Sequence, residues 1–382
     1  MKKICFITTS RADFGMVKII INEAIKKKKY KTSLIISGNH NENFFGKSIK
    51  EIYFNKNLKK FMIFLKQKNN EFLTVSASFA KIIDKITLTL KKIKPHVFVA
   101  FGDRYEMLAA TLSAYILNIP IVHIAGGEKT LGSLDEGYRH CITKLSNLHF
   151  ATSKKHKKRI IQLGEEPKAV FDYGSLNRQK IAETRFFSKN EIERKFNIKF
   201  YKKNILMTLH PEKIDKKNNI RNLRLVLNCL NSLKDTKIIV TSPNIDEGGL
   251  EMVKLIENFT KRKDKFKFFK SFGTQGYLSV LKIIDGVIGN SSSGISEVPI
   301  FSINSINLGN RQKGRETSSS VISCQFDKKT ITKNLKRLKR KKTQININER
   351  DKHVAKKIFK QIIKFDFKKS KNKNFRDLNF NL

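Results

Sequence analysis

Asp103, Glu128, Asp135 and Glu136 lie just beyond short apolar runs, with His123, Arg139 and His140 close by in sequence. Carboxylates crowded at one edge push each other's proton affinities apart, a difference that general acid–base chemistry exploits. Two histidines with carboxylates would also suffice as metal ligands, but their spacing matches no standard metal signature. Capping of a helix is the plain alternative for Asp103, which follows the turn residue Gly102. Proton transfer is the chemistry this group offers.

A second group offers anion binding. Gly289-Asn290-Ser291-Ser292-Ser293-Gly294 follows an apolar run and precedes Ile295-Ser296-Glu297. A strand entering a serine/glycine turn that opens a helix presents backbone N–H groups and small hydroxyls, which suits a diphosphate without a lysine. Glu297, one turn further on, is placed to reach ribose hydroxyls. Arg311 and Arg315 add cationic donors on the next loop, and His210 ends an apolar run before Pro211. Near the start, Thr8-Thr9-Ser10-Arg11-Ala12-Asp13 turns into a helix with a cation and an anion presented together. Arg11 with a helix N-terminus suits phosphate, and an Arg11–Asp13 pair that merely caps the helix is the equal alternative.

These residues need a sheet to align them. Continuous apolar runs at 4–8, 33–37, 97–101, 121–124 and 148–151 predict buried strands, and amphipathic segments at 14–27, 80–92, 105–117 and 154–163 predict helices between them. The rhythm restarts with strands at 205–209, 238–241, 265–269, 286–289 and 303–308 and helices at 221–233, 249–259 and 274–284. Alternation of this kind specifies parallel sheets with helices on both faces. The expected fold is α/β, with two Rossmann-like doubly wound domains facing a cleft, the ligand lying at the strands' carboxyl ends. The polar stretch 175–203 is expected to join them. The domains are then 1–174 and 175–350, with a last helix at 354–365 and a frayed basic tail at 366–382.

Composition narrows the function. The chain has 382 residues, 40% of them hydrophobic, enough for real cores. Its four cysteines are far apart, which excludes a disulfide scaffold. No apolar run reaches the roughly 20 residues of a membrane span, and the short apolar start after Lys2-Lys3 is no signal peptide, so a cytoplasmic protein without a membrane partner is expected. The net charge of +45 invites a nucleic-acid reading. The lysines are nevertheless spread over nearly every segment, and only 328–342 and 368–373 are dense. Ile331, Leu335 and Leu338 sit at helical spacing in the first run, which fits an amphipathic helix. No specific nucleic-acid partner is expected.

Taken together, Arg11-Ala12-Asp13, Gly102-Asp103-Arg104-Tyr105-Glu106-Met107, His123 with Gly126-Gly127-Glu128, Asp135-Glu136 with Arg139-His140, Pro243-Asn244-Ile245-Asp246, Gly289 to Gly294, and Gly309-Asn310-Arg311-Gln312-Lys313-Gly314-Arg315 resemble the UDP-N-acetylglucosamine 2-epimerases. The likeness is greatest to the hydrolysing branch that feeds sialic and legionaminic acid synthesis, and it runs in order from about residue 1 to 324. It implies the glycosyltransferase-B arrangement, a nucleotide-sugar substrate, no cofactor or metal, a homodimer or homotetramer, and a C-terminal helix returning to the first domain. It also implies elimination to a 2-acetamidoglycal and re-addition of water, releasing the free 2-epimeric sugar. By motif position Asp103, Glu128, Asp135 and His210 are the catalytic candidates. Arg11, Asp13, Ser291, Ser292, Ser293, Gly294, Glu297 and Arg311 are the nucleotide-binding ones.

One departure stands out. Many relatives carry a glutamate two residues after the histidine, where this chain has Ala125. Either Glu128 takes its place, or the proton shuttle rests on Asp103 and Asp135. A glycosyltransferase on the same fold, or a non-hydrolysing epimerase, is the competing reading. A transferase has no need of the carboxylate cluster.

Overall fold

The computed structural model describes residues 2–41, 49, 52, 57–65, 72–131, 133–212, 216–243, 248–261, 263–338, 345–370 and 373–378. The chain divides into two compact units. Met1–Glu128, Leu134–Lys180 and Asn348–Leu382 form the first, Lys129–Ser133 and Ile181–Ile347 the second.

In the first unit, β1 (Lys2–Thr8), β2 (Tyr30–Ile36), β3 (Leu58–Met62), β4 (Val97–Phe101), β5 (Ile121–Ile124), β6 (Leu148–Ala151) and β7 (Val170–Asp172) alternate with α1 (Arg11–Ile25), α2 (Phe72–Ile93), α3 (Tyr105–Ile116), α4 (Asp135–Leu145) and α5 (Lys154–Gln162). The strands lie in the order β3-β2-β1-β4-β5-β6-β7, every pair parallel. Both faces are covered, so the central strands are buried and mostly apolar. Phe6, Val99, Val122 and Phe150 pack into one core, Cys5, Phe98 and Ala100 into another.

α6 (Leu176–Glu183) and α7 (Lys189–Phe196) follow, in the stretch expected to be a plain connection. Both are short and polar, and each buries a single apolar anchor or two. Leu176 belongs to the core of the first unit and Ile181 to a core of the second. That division puts the boundary at 180/181 rather than 174/175.

The second unit holds β8 (Lys203–Thr208), α8 (Asn219–Asn231), β9 (Thr236–Thr241), α9 (Gly249–Thr260), β10 (Phe266–Phe269), α10 (Gly273–Leu281), β11 (Gly286–Gly289), α11 (Ser293–Ser296), β12 (Ser305–Leu308), β13 (Val321–Cys324) and α12 (Lys328–Arg337). Its parallel sheet has the order β10-β9-β8-β11-β12-β13. The lysine-rich α12 buries Ile331 and Leu335, followed by Leu338, in this unit's core.

α13 (Val354–Lys364) packs against α1 in the first unit, with Ile358, Phe359 and Ile362 buried. The segment after it is not frayed where it is described. Lys373 Nζ donates to the carbonyls of Lys144 and Ser146 at the end of α4, at 2.7 and 2.5 Å, and to Glu165 Oε2 at 2.6 Å. Orphan carbonyls at a helix end attract a cation, and this one is also paired.

Candidate active site

Each sheet reverses its winding once, between β1 and β4 in the first unit and between β8 and β11 in the second. The carboxyl ends flanking such a reversal are where doubly wound sheets hold ligands. The candidate residues cluster there: Asp13 after β1, Asp103 after β4, His210 after β8, and Ser291 to Gly294 after β11.

In the first unit the organising group is Arg139, on α4 and fully buried. Its Nε and Nη2 donate to Asp103 Oδ2 at 3.0 and 2.5 Å. Nη1 donates to Glu136 Oε2 at 2.8 Å and to the Glu128 carbonyl at 2.8 Å. One guanidinium thus ties the loops after β4 and β5, which the sheet presents side by side, to α4. A planar fork suits this better than an ammonium would. Asp135 is the first residue of α4, and Glu136 also reaches His140 Nε2 at 3.3 Å. Next to Asp103, Arg104 holds the buried carboxylate of Glu106 through two bonds of 3.0 and 2.8 Å. The structure therefore gathers Asp103, Glu136 and the Glu128 carbonyl around Arg139, a cation whose role its sequence position does not reveal, while the Asp135 charge acts on Arg104.

His123 is not part of the exposed group. It lies inside β5 with Nε2 donating to the Gly102 carbonyl at 3.0 Å, so Nδ1 accepts from the Thr143 hydroxyl at 3.1 Å. Burial holds its pKa down at about 3, which keeps the ring neutral. Its bond to Gly102 anchors the turn that carries Asp103. The chain then runs through Ala125 in the left-handed region at φ 69° and Gly127 at φ 77°. A Cβ on Gly127 would stand 2.3 Å from the His156 carbonyl, so only glycine fits before Glu128.

Asp13 is consumed by its own turn. Its carboxylate accepts from the Thr9 and Ser10 amides at 3.0 and 2.9 Å and from the Thr9 hydroxyl at 2.7 Å, and Ser10 completes a capping box on α1. Burial raises its pKa against those bonds. Of the two readings of this turn, capping is the one its geometry carries for Asp13, which leaves no oxygen turned outward as a ligand. Arg11 is the first residue of α1, and its side chain lies outside the described residues, as do Asn244 to Asp246.

In the second unit, His210 and Asn290 exchange two hydrogen bonds across the sheet reversal, at 2.7 and 2.8 Å. Gly289 makes this approach possible: at φ 145° a Cβ would lie 1.8 Å from the Thr208 carbonyl. The Asn290 carbonyl accepts from Arg311 Nη1 at 3.1 Å and Gln312 Nε2 at 2.9 Å, tying the arginine loop to the serine turn. His210 is buried, and burial together with the Arg311 charge holds its pKa well below the usual imidazole range. Ser293 Oγ lies 2.5 Å from the Tyr277 hydroxyl, and Ser291 Oγ accepts from the Ser293 amide at 3.4 Å. The helix after the turn is a single turn, because Pro299 and a 3-10 segment follow; Glu297 is its C-cap rather than an interior residue. Asn290 and Gln312 stand inside the glycine-flanked motifs but, being neutral, signal no role there, and Tyr277 lies on α10 outside any motif. Among the described residues no three His, Cys, Asp or Glu side chains gather as a metal site, and no helix is long and apolar enough to cross a membrane.

Comparison with known proteins gives the same direction. The chain is 37% identical over 328 residues, 85% of either chain, to the GDP/UDP-N,N'-diacetylbacillosamine 2-epimerase (hydrolyzing) of Campylobacter jejuni. It is 33% identical to the polysialic acid biosynthesis protein P7 of Escherichia coli, over 99% of this chain and 97% of that one. The crystal structure of Methanocaldococcus jannaschii UDP-GlcNAc 2-epimerase in complex with UDP-GlcNAc and UDP shares the fold, with TM-score 0.76, 19% identity and coverage of 94% and 99% of the two chains. The sequence pattern of the UDP-N-acetylglucosamine 2-epimerases matches residues 23–364, and the chain belongs to that family.

Proposed function

We propose that the protein is a hydrolysing nucleotide-sugar 2-epimerase. It converts UDP-N-acetylglucosamine, or a UDP- or GDP-linked 2,4-diacetamido-2,4,6-trideoxyhexose, with water into the free 2-epimeric sugar and the nucleoside diphosphate. The observation that carries the reading is the Asp103–Arg139–Glu136 cluster at the sheet reversal of the first unit, with the Glu128 carbonyl in the same grip. The relatives named above supply the substrate class and the hydrolytic outcome, which makes nonulosonic acid synthesis the supported setting.

The C2 proton is not next to a carbonyl carbon and is barely acidic. Its removal must be coupled to departure of the nucleoside diphosphate from C1. In this reading the Ser291–Gly294 turn and Arg311, with Arg11, take the negative charge that builds on the leaving group. Asp103, with Glu128 or Asp135, takes the proton from C2 and returns one to the opposite face as water adds to C1. His210, held neutral, donates or accepts one hydrogen bond there. Glu297 recognises the ribose. The bonds balance: C1–O and C2–H break, the glycal double bond forms, and water then supplies the C1 hydroxyl and the new C2 proton.

Incubation with each nucleotide sugar, without any acceptor, tests the reading. Release of free nucleoside diphosphate and free 2-epimeric sugar supports it. Turnover only when an acceptor is added would make the protein a glycosyltransferase, and interconversion of the two nucleotide sugars would make it a non-hydrolysing epimerase.

A further inference from the structure

The amino-terminal edge of the first sheet, opposite the loops described above, carries a cavity of about 690 Å³. Five lysines line it, Lys3, Lys28, Lys31, Lys59 and Lys92, and no Asp or Glu does among the described residues. Two of them have a local explanation: Lys92 lies in the last turn of α2 and Lys28 just after α1, where a cation complements the helix dipole. Lys3, Lys31 and Lys59 do not. They come from three adjacent strands, β1, β2 and β3.

Register makes their placement costly. Lys3 and Lys31 are direct partners, and Lys59 is the partner of Ser33, two residues along β2 from Lys31. Alternation along a strand then puts all three on one face, with neighbouring strands about 4.8 Å apart. Like charges directly opposite on a sheet are destabilising. Lys3 Nζ spends one proton on the Ile93 carbonyl at 3.0 Å, and Lys59 Nζ lies over the Phe61 ring at 5.4 Å. None of Lys28, Lys31, Lys59 and Lys92 pairs with a carboxylate among the described residues. Among the described residues no carboxylate offsets this row of cations around a concave wall, which leaves it suited to an anionic ligand.

We infer that this cavity is a second binding site, specific for a small polyanion bearing at least two phosphate groups, and separate from the nucleotide-sugar site. Lys59 stands one strand over and two residues along from Lys31, a spread that two linked phosphates match better than one. Polymers fit less well, since the lysines converge on one cavity rather than following a stripe.

The test titrates inorganic pyrophosphate into the full chain, into the double variant Lys31→Gln/Lys59→Gln, and into Arg311→Ala, at low ionic strength. The proposal expects one pyrophosphate per chain at a site whose Kd rises at least tenfold in the lysine variant and stays unchanged in Arg311→Ala. Because Arg311 belongs to the other site, this separates the two assignments. Without pyrophosphate the lysine variant melts at the same temperature or higher, since like charges have been removed, and pyrophosphate raises the melting temperature of the native chain and of Arg311→Ala by more than that of the lysine variant. Should the double variant fail to fold, Lys59→Gln on the edge strand gives the same comparison. Equal affinity in the lysine variants, or no binding by the native chain, overturns the site. So does binding of duplex RNA that the lysine variant loses while pyrophosphate stays silent.

Discussion

Arg139 and Asp103 meet through two hydrogen bonds to one carboxylate oxygen, 3.0 and 2.5 Å long, with the guanidinium fully buried and the carboxylate part-exposed. One side of Asp103 is therefore fixed and the other faces outward. Arg139 is a positioning residue in this account. Replacing it with lysine keeps the charge and loses the fork. We expect kcat for Arg139→Lys to fall about a hundredfold, as a displacement of about 1 Å at a reacting group costs, while the calorimetric Kd for UDP stays within twofold. A weakened UDP affinity with unchanged kcat would remove Arg139 from that role.

The leaving-group assignment makes a separate prediction. Arg311 bonds the Asn290 carbonyl beside the serine turn, and its charge helps depress the His210 pKa. Arg311→Ala should weaken UDP binding by about 1.5–3 kcal/mol, the range of a charge-assisted bond, which is roughly ten- to a hundredfold in Kd. The His210 ring resonances should also titrate at higher pH than in the native chain. Ser292→Ala should weaken UDP in the same direction by less, since it loses a neutral donor. Unchanged affinity in both variants would place the nucleotide elsewhere.

Ala125 sets up the comparison between two carboxylates. If Glu128→Gln lowers kcat about a hundredfold or more and Asp135→Asn by less, Glu128 fills the place of the glutamate other relatives carry two residues after the histidine. The reverse order assigns the shuttle to Asp103 and Asp135. Two unaffected variants would contradict the proton-transfer role of this loop.

Acid should destabilise the fold through its buried histidines. An unfolded histidine takes up a proton near pH 6.5, whereas His123 does so only at about 3. His149 and His210 are depressed in the same direction, chiefly by burial. Each folded pKa lies below its unfolded value, so the unfolded chain binds more protons in between. Stability is intact above pH 6.5 and falls as the pH drops toward 3, by up to about 1.4 kcal/mol per pH unit for each such group. His123→Gln keeps a donor for the Gly102 carbonyl and should flatten that slope in urea titrations at pH 7, 5 and 4. An unchanged slope would mean that His123 is protonated in the native state.

Much of this arrangement is legible in the residues because parallel strands covered on both faces must be continuously apolar; 97–101, 121–124, 148–151 and 286–289 are strands to the residue. The strands that the apolar pattern does not reveal are β3, β7 and β13, and all three are sheet edges. β3, Leu-Lys-Lys-Phe-Met, has no buried residue at all, so its pairing leaves no apolar run. The site divides in the same way. Glycine and serine turns and clustered carboxylates announce themselves by type and spacing. Arg139 does not, because a buried arginine on α4 and a solvated one are spelled alike; only the strand order brings Asp103 to it. Asp13 shows the converse: its type and position fit a ligand, and its bonds to Thr9 and Ser10 fit a cap.

Elimination and rehydration leave a mark that simple hydrolysis at C1 does not. The proton removed from C2 mixes with solvent before the product forms, so turnover in D2O, followed by NMR, must give a free sugar carrying deuterium at C2. Asp103→Asn keeps the shape and removes the base; it should lose that turnover by about a hundredfold or more while still binding UDP. Deuterium at C2 in the product of the native enzyme, lost with Asp103→Asn, is the predicted result. Free sugar released with no deuterium at C2 would contradict the account outright, for the bond broken would then be only the one at C1.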